Sequence, residues 1–366
     1  MKKILKLTLS LFLILSSMTL ACTGITIKTL DNKIVQGRTI EYGESNLNSK
    51  LVVSPRGKEY QSLTPDGKLA GYKWKGKYGY VGASLITDMF IGEGINEAGL
   101  NAGLFYFPHY GSLTKYDKKI SKKSIVDMQV VSWILSNFAT VDEVKEGLKK
   151  IKVINIGYDE KGNPLPTAHW RVADSKGGNI VIEIVNNGEV KIHDNKIGVL
   201  TNSPDYQWHV KNLNNYINLY AGNAKNFNVN GQEFFSFGAG TGAMGLPGDI
   251  TPPSRFVRAF YFLNTMKPAE TSKEAINEAF HILNNFDLPI GVEYPAEHKS
   301  YIPKDLPSAT QWTAISSLND REFYYKTMYN SQIRKVDLKK IDFSTVKYTV
   351  LPLDEKPEEN IQEITF

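Results

Sequence analysis

The chain contains a single cysteine, Cys22, so no intramolecular disulfide can hold the fold together. Its stability must therefore come from a packed core. The 366 residues permit one, because 42% of them are hydrophobic and 22% are charged, close to globular averages. Nineteen tyrosines and 17 phenylalanines supply large side chains for this core.

The N-terminal segment has the pattern of a secretory signal peptide. Three lysines precede a mostly apolar run over residues 7–15, and Thr19 and Ala21 are small residues at positions −3 and −1 of a cut before Cys22. We therefore expect residues 1–21 to be removed, leaving a periplasmic or secreted domain, residues 22–366. Two alternatives are a membrane anchor, for which the apolar run falls short of about 20 residues, and lipid attachment at Cys22, which favours a Leu-like residue at −3.

Charge and motif content exclude several classes of function. The 43 basic residues include three lysines within residues 1–21, which leaves 40 basic against 38 acidic residues in the expected mature domain. This balance gives no reason to expect nucleic acid or an anionic membrane as a partner. The six histidines lack metal-ligand spacing and no GxSxG motif occurs, so the sequence indicates neither a histidine metal site nor a serine nucleophile of this type.

The hydrophobic periodicity predicts grouped strands and helices. Alternating residues over 25–36 predict a hairpin whose first strand starts at Cys22. The remaining predicted elements are strands at 51–54, 80–86 and 100–107, a glycine-rich turn at 92–99, helices beginning at Ser124, Thr140 and Thr271, a meander over 168–201, strands at 311–317, 322–328 and 346–352, and a polar tail at 354–360. This grouping is typical of a single α+β domain with helices packed on antiparallel sheets.

A cysteine at the start of a mature chain has a specific chemical capability. Its thiolate can attack a carbonyl, and its own α-amino group, with an ordinary pKa of about 7.7–8.0, can take the thiol proton near neutral pH. The residues alone leave an equal alternative, because a lone cysteine is also often an ordinary buried side chain. Position and chemistry together make Cys22 a candidate nucleophile.

Several short segments occur in a defined order: Cys22-Thr23-Gly24, Gly37-Arg38-Thr39-Ile40-Glu41, Asn96-Glu97 before Gly99-Leu100, Leu200-Thr201-Asn202-Ser203-Pro204 followed by Trp208-His209-Val210, and Gly240-Thr241-Gly242 through Ser254-Arg255-Phe256. In this order and spacing they resemble the choloylglycine hydrolase and penicillin V acylase family of N-terminal nucleophile hydrolases. The resemblance extends from Cys22 to about residue 335. It implies a four-layer αββα sandwich, with antiparallel sheets between helix layers.

The resemblance also implies roles for individual residues. Cys22 matches the nucleophile and, through its amine, the base, while Arg38 matches an arginine beside the thiol. Glu41 matches a carboxylate that orients the amine, although many relatives have Asp there. Asn202 matches the side-chain donor of the oxyanion hole, and Arg255 matches a second active-site arginine.

Other interpretations of these residues stay open from the sequence alone. Without the family, Arg38 would be a surface strand charge, Asn202 a turn residue before Pro204, and Arg255 a charge at a helix N-terminus. The resemblance implies a second oxyanion donor, a backbone N–H of either Phe105 or Tyr106. Glu93, where relatives often have Asp, keeps the same charge.

The resemblance implies hydrolysis of a small-molecule substrate in which a bulky apolar acyl group is amide-linked to a small polar amine. It also implies that no metal and no organic cofactor is needed. Conjugated bile salts are the first expectation, with penicillin V or N-acyl homoserine lactones as alternatives. Analogy with the family suggests a tetramer. A hypothesis from another class is a non-catalytic lipoprotein binding module lipidated at Cys22.

Overall fold

The structure is a computed structural model that describes residues 20–43, 46–159, 162–165, 167–292 and 309–366. The predicted signal peptide, apart from Leu20 and Ala21, lies outside the described residues. Within them, the helices are α1 (Val130–Asn137), α2 (Val141–Leu148), α3 (Tyr206–Asn212), α4 (Pro252–Thr265) and α5 (Ser272–Leu283). The strands are β1 (Leu20–Lys28), β2 (Ile34–Tyr42), β3 (Lys50–Ser54), β4 (Glu59–Leu63), β5 (Leu69–Lys75), β6 (Tyr80–Leu85), β7 (Thr87–Asn96), β8 (Leu100–Tyr106), β9 (Ser124–Val126), β10 (Lys152–Ile154), β11 (Ala168–Asp174), β12 (Asn179–Val185), β13 (Glu189–Asp194), β14 (Val199–Leu200), β15 (Phe227–Val229), β16 (Gln232–Phe234), β17 (Ala309–Ser317), β18 (Glu322–Thr327), β19 (Arg334–Asp337) and β20 (Thr349–Pro352).

The first large sheet is antiparallel and has the strand order β14-β1-β2-β17-β18-β19. The predicted N-terminal hairpin forms its centre, with Cys22 opposite Ile40. Strand β1 begins at Leu20, two residues before the predicted start, because Leu20 and Ala21 also pair with β2. Every residue of β2 and β17 is buried, as expected for strands covered on both faces.

The second large sheet is also antiparallel, with the order β13-β12-β11-β8-β7-β6-β3-β20. The predicted turn at 92–99 is wrong over its first half, since Gly92 and Gly94 lie within β7 and only the end of the segment turns. The reason is close packing: a Cβ at Gly94 would lie 2.8 Å from Leu135 of α1. Glycine here allows a helix to approach the strand closely.

The two sheets face each other, and helices cover their outer faces. Strands β1 and β8 contact across the interior, as do β7 and β17. Helices α4 and α5 pack on the six-stranded sheet, whereas α1 and α2 pack on the eight-stranded sheet. The described chain therefore has four layers in the order αββα, which confirms the predicted fold class.

Two of the three predicted helix starts are correct. Thr140 and Glu143 form a capping box at α2, and the Thr271 side chain accepts from Glu274 N–H at α5. The start at Ser124 is wrong, because Ser124–Val126 forms β9 and pairs with β10. β-Branched Ile125 and Val126 suit this strand, and α1 begins only after a short 3₁₀ turn.

The segment between α3 and α4 carries the small hairpin β15–β16, whose residues are all exposed. It lies outside both large sheets. Among the described residues, no helix has the length and apolar character needed to cross a membrane.

Candidate active site

The Cys22 side chain lies between the two sheets and is 1% exposed. Strand β1 brings it from the six-stranded sheet, and the backbone N–H of Tyr106, at the end of β8, donates to the sulfur from the other sheet. Gly24 makes this approach possible, since a Cβ there would lie 2.6 Å from Cζ of Phe105. The nucleophile candidate is thus fixed by the packing of one sheet on the other.

Arg38 places a fixed positive charge beside the thiol. Its Nη2 lies 2.7 Å from Cys22 Sγ. The rest of the guanidinium donates to backbone carbonyls, with Nη1 2.5 Å from Leu104 O and 3.0 Å from Gly92 O. The group also lies 4.3 Å from the centre of the Phe105 ring. Because backbone oxygens carry no net charge, the cation is directed at the sulfur.

Opposing influences act on the ionisation of the thiol. Burial raises the pKa of Cys22 above its ordinary value, and the charge of Glu41 acts in the same direction. The charges of Arg38 and Arg255 and the hydrogen bond from Tyr106 N–H lower the pKa. Burial is the largest of these influences, so the buried thiol stays largely protonated until a base takes its proton.

Asn202 contacts both Cys22 and the opposite sheet. Its Oδ1 accepts from Cys22 N–H at 2.8 Å, and its Nδ2 donates to Tyr106 O at 2.9 Å. One amide hydrogen of the Asn202 side chain therefore remains for another acceptor. The backbone hydrogen bond to the sulfur comes from Tyr106, so Tyr106, rather than Phe105, presents the backbone donor.

Arg255 enters the site from the first turn of α4 and is 1% exposed. Its Nη2 donates to Asn202 Oδ1 at 2.7 Å, and its Nη1 donates to Thr23 Oγ1 at 2.8 Å and to the Cys22 carbonyl. Arg255 thereby connects Cys22 and Asn202. Because it is buried and fully engaged, it is not a simple charge at a helix N-terminus.

Glu41 lies on β2 directly opposite Ala21, the residue before the expected cut. It is fully buried, and its Oε1 accepts from Thr310 Oγ1 at 3.2 Å. The structure therefore brings all five sequence-predicted residues into one cluster around the Ala21–Cys22 peptide bond.

The sequence interpretation missed a buried ion pair behind the thiol. Arg171 Nη2 lies 3.3 Å from Glu93 Oε1, and Arg171 Nη1 donates to Ile25 O and Gly37 O, each at 3.0 Å. Burial lowers the pKa of Arg171 to about 10, although Glu93 opposes this shift. The alternation of His169 and Arg171 with apolar neighbours in β11 could have indicated a polar face, but the sequence does not show that this face is buried.

An open cavity of about 560 Å³ adjoins the site beside Tyr106. Its lining mixes apolar and polar groups, including Pro108, Leu113, Tyr158 and Thr167. This size is in the range of small-molecule pockets. Among the described residues, no group of three or more His, Cys, Asp or Glu side chains could hold a metal ion.

Comparison with known proteins identifies the class to which this fold and site belong. Residues 22–351 match the family of linear amide C–N hydrolases, choloylglycine hydrolase family. The chain belongs to this family. It is therefore a hydrolase that acts on linear amide C–N bonds.

Individual relatives give the same result. The chain is 35% identical to a bile salt hydrolase/transferase of Clostridium perfringens, over 87% of this chain and 93% of the relative. It is 32% identical to a bile salt hydrolase/transferase of Lactiplantibacillus plantarum, over 91% and 97% of the two chains, and 26% identical to a penicillin V acylase of Pectobacterium atrosepticum, over 94% and 88%.

Solved structures support the fold. A variant of the conjugated bile acid hydrolase of C. perfringens superposes with a TM-score of 0.78 at 31% identity, over 94% of this chain and all of the other. Penicillin V acylase of Agrobacterium tumefaciens superposes with a TM-score of 0.70 at 24% identity, over 90% of each chain, which shows the fold alone.

Proposed function

We propose that this chain is an exported hydrolase of conjugated bile salts in which Cys22 is the nucleophile and becomes the first residue when residues 1–21 are removed. The observation that carries the proposal is the contact of Cys22 with both Arg38 and Asn202, at 2.7 and 2.8 Å. Bile salts are favoured as substrates because the relatives named bile salt hydrolases are 35% and 32% identical, against 26% for the penicillin V acylase. Penicillin V is the alternative substrate.

Cutting after Ala21 would turn the Cys22 N–H into an amine at the same place. In that position the amine faces Asn202 Oδ1, which accepts from this nitrogen at 2.8 Å. Glu41, opposite Ala21 in the strand pair, supplies a nearby negative charge that orients the amine. The amine is therefore the base that the buried thiol needs.

The proposed reaction then proceeds in two stages. The amine takes the thiol proton, and the sulfur bonds to the amide carbonyl carbon. The remaining N–H of the Asn202 side chain and the N–H of Tyr106 donate to the oxyanion. The ammonium returns its proton to the leaving nitrogen, the C–N bond breaks, and a thioester remains.

Water completes the second stage. It adds to the thioester carbonyl as the amine takes one of its protons, the C–S bond breaks, and the acid leaves. The thiol is restored by the proton on the amine. Arg38 stabilises the thiolate in both stages, and Arg255 holds Asn202 Oδ1 so that its N–H remains directed at the oxyanion. No metal or organic cofactor takes part.

The test begins with the exported protein. Its intact mass should correspond to residues 22–366 with unmodified Cys22. The added mass of a lipid would instead support the lipoprotein binding module, and a chain beginning elsewhere would refute the proposed cut.

Activity is then measured side by side on glycocholate, taurocholate, penicillin V and a long-chain N-acyl homoserine lactone. The two bile salts should give the highest kcat/KM. Cys22→Ala should reduce this rate by at least about 10³-fold without loss of folding. Unchanged hydrolysis in Cys22→Ala would refute the nucleophile, and faster hydrolysis of penicillin V would favour the alternative substrate.

A further inference from the structure

Two buried histidines hold the backbone on either side of Asn202. The Nε2 of His169 lies 3.0 Å from Thr201 O, and the Nε2 of His209 lies 2.9 Å from Asn202 O. Both side chains are fully buried. Since a carbonyl oxygen only accepts, each Nε2 must carry a hydrogen. The two peptide planes that flank the Asn202 Cα are therefore both fixed, and with them the direction of its side chain.

The second nitrogen of His169 faces a carboxylate. His169 Nδ1 lies 3.3 Å from Glu183 Oε1, which also accepts from Tyr206 N–H at 2.8 Å. Burial opposes ionisation of Glu183, but hydrogen bonds from His169, His193 and the Tyr206 N–H lower its pKa to about 2. Glu183 is therefore ionised, and its Oε1 can only accept. His169 therefore has an oxygen acceptor at each of its two ring nitrogens.

His209 and His193 differ from His169 in this respect. Burial lowers the pKa of His209 to about 4, and its Nδ1 has no hydrogen-bond partner among the described residues. His209 is therefore neutral and donates through Nε2 alone. His193 Nε2 lies 3.2 Å from Glu183 Oε2, whereas its Nδ1 can accept from Gln207 Nε2 at 3.2 Å. Of these three histidines, only His169 has a hydrogen-bond acceptor facing both ring nitrogens.

Packing gives the His169 ring a single orientation. Its ring stacks on Phe107, with centroids 4.4 Å apart and planes 7° apart, and meets the edge of Phe105 at 6.2 Å. Glu183, on the neighbouring strand β12, fixes the remaining rotation. Glu183 also accepts from the Tyr206 N–H. It therefore holds the segment from Thr201 to Tyr206 at both ends, directly at Tyr206 and through His169 at Thr201.

We propose that His169, oriented by Glu183, is a positioning residue that fixes the Asn202 side chain through the Thr201 carbonyl. This inference rests on the proposed function, in which Asn202 donates to the oxyanion. A donor that is held in place before the reaction stabilises the transition state more than the bound substrate. Loss of His169 should therefore lower kcat more than it changes KM.

A matched pair of substitutions tests this. In His169→Gln the side-chain amide can occupy the place of Nε2 and keep the bond to Thr201 O, whereas in His169→Asn it occupies the place of Nδ1 and keeps only the bond to Glu183. We expect kcat on the preferred substrate to stay within about threefold of wild type in His169→Gln. In His169→Asn it should fall about 10- to 100-fold, with KM within about threefold. Equal losses in both variants, or a loss confined to KM, would overturn the inference.

Two further measurements separate failure of this inference from failure of the proposed function. If Cys22→Ala keeps full hydrolysis, the proposed nucleophile is wrong, whatever the histidine variants do. The rate of Cys22 alkylation by iodoacetamide should match wild type in both His169 variants, since Arg38 is untouched; a changed rate would show general disruption and count against a positioning role. A crystal structure of His169→Asn should show a displaced Asn202 side chain, and an unmoved one would refute the inference.

Discussion

The interface between the two sheets and the interfaces between sheets and helices are built from different side chains. Between the sheets, the buried groups include Arg38, Arg171, Glu93 and Asn101. Beneath α1, by contrast, the buried groups are mostly apolar, such as Leu135. Charged groups in the interior are costly unless they are paired and hydrogen-bonded, whereas buried apolar area stabilises directly.

This difference separates two tasks of the molecule. The inner interface arranges the polar groups around Cys22, and its charges are held by backbone carbonyls and by one another. The outer interfaces supply free energy that offsets the cost of this arrangement. Substitutions in the inner interface should therefore affect both stability and activity, and substitutions where α1 and α2 pack on the eight-stranded sheet should affect stability alone.

The largest effect is expected from Arg171→Met. It leaves the Glu93 charge buried without its cation and removes two hydrogen bonds to the β1–β2 hairpin. The free energy of unfolding should fall by about 3–5 kcal/mol, measured by urea denaturation. Adding Glu93→Gln should recover part of the loss, and a single-variant loss below about 1 kcal/mol would contradict the importance of the pair.

Leu135→Ala tests the interface between α1 and the eight-stranded sheet, where stability should change and activity should not. Leu135 is fully buried against β7 beside Gly94. Its truncation should lower the free energy of unfolding by about 2–5 kcal/mol, while kcat at a temperature below the unfolding transition stays within about twofold. If kcat fell by about tenfold or more, the proposed separation of the two interfaces would be wrong.

An ionisable group in the outer interface should make stability depend on pH. Burial raises the pKa of Asp127, which precedes α1, to about 7. The unfolded chain, with an aspartate pKa of about 3.9, loses this proton first as pH rises, so stability falls between about pH 4 and pH 7.

Comparing wild type with Asp127→Asn at both ends of this pH range measures the effect. The wild type should lose about 2–4 kcal/mol relative to Asp127→Asn on going from about pH 4 to pH 7. Asp142→Asn, on the exposed part of α2, is the control, and its free energy of unfolding should change with pH as in the wild type. The same pH dependence of stability in wild type and Asp127→Asn would refute the raised pKa of Asp127.

The smallest effect is expected at the capping box of α2. Thr140→Ala removes the acceptor for Glu143 N–H and should cost about 0.5–2 kcal/mol, without change in kcat. Thr140→Ser keeps the hydroxyl and should lie close to wild type. Thermal unfolding followed by circular dichroism measures both, and identical midpoints for Ala and wild type would show that the cap contributes nothing.

Local patterns predicted much of this fold. Alternating residues around Ile25 predict the N-terminal hairpin, and the Thr140–Glu143 spacing predicts the start of α2, because both depend on neighbours in the chain. Ser124 shows where prediction from local patterns fails. Its cap-like spacing to Asp127 suggests a helix, but pairing with Lys152–Ile154 makes Ser124–Val126 a strand. The paired strand lies 28 residues further along the chain, so the local sequence pattern around Ser124 does not reveal it.

The candidate site shows the same division. Cys22, Arg38, Glu41, Asn202 and Arg255 were selected by resemblance and spacing, and the structure brings them together. Glu183 and Arg171 were missed, because a polar residue within a strand is usually on the exposed face. Their importance arises only when the six-stranded sheet contacts Arg171 and the Tyr206 N–H contacts Glu183, which no local pattern encodes.

Gly24 sets the tolerance of the whole assembly to change. An added methyl group would meet Phe105 Cζ at 2.6 Å and Arg171 Nη1 at 2.7 Å, closer than packed atoms accept. These buried side chains or the sheets themselves would have to shift, in the region where the thiol on one sheet meets the Tyr106 N–H on the other. Two positions after Cys22, the missing side chain therefore acts as a spacer, and the surroundings of the proposed nucleophile depend on the separation of the two layers.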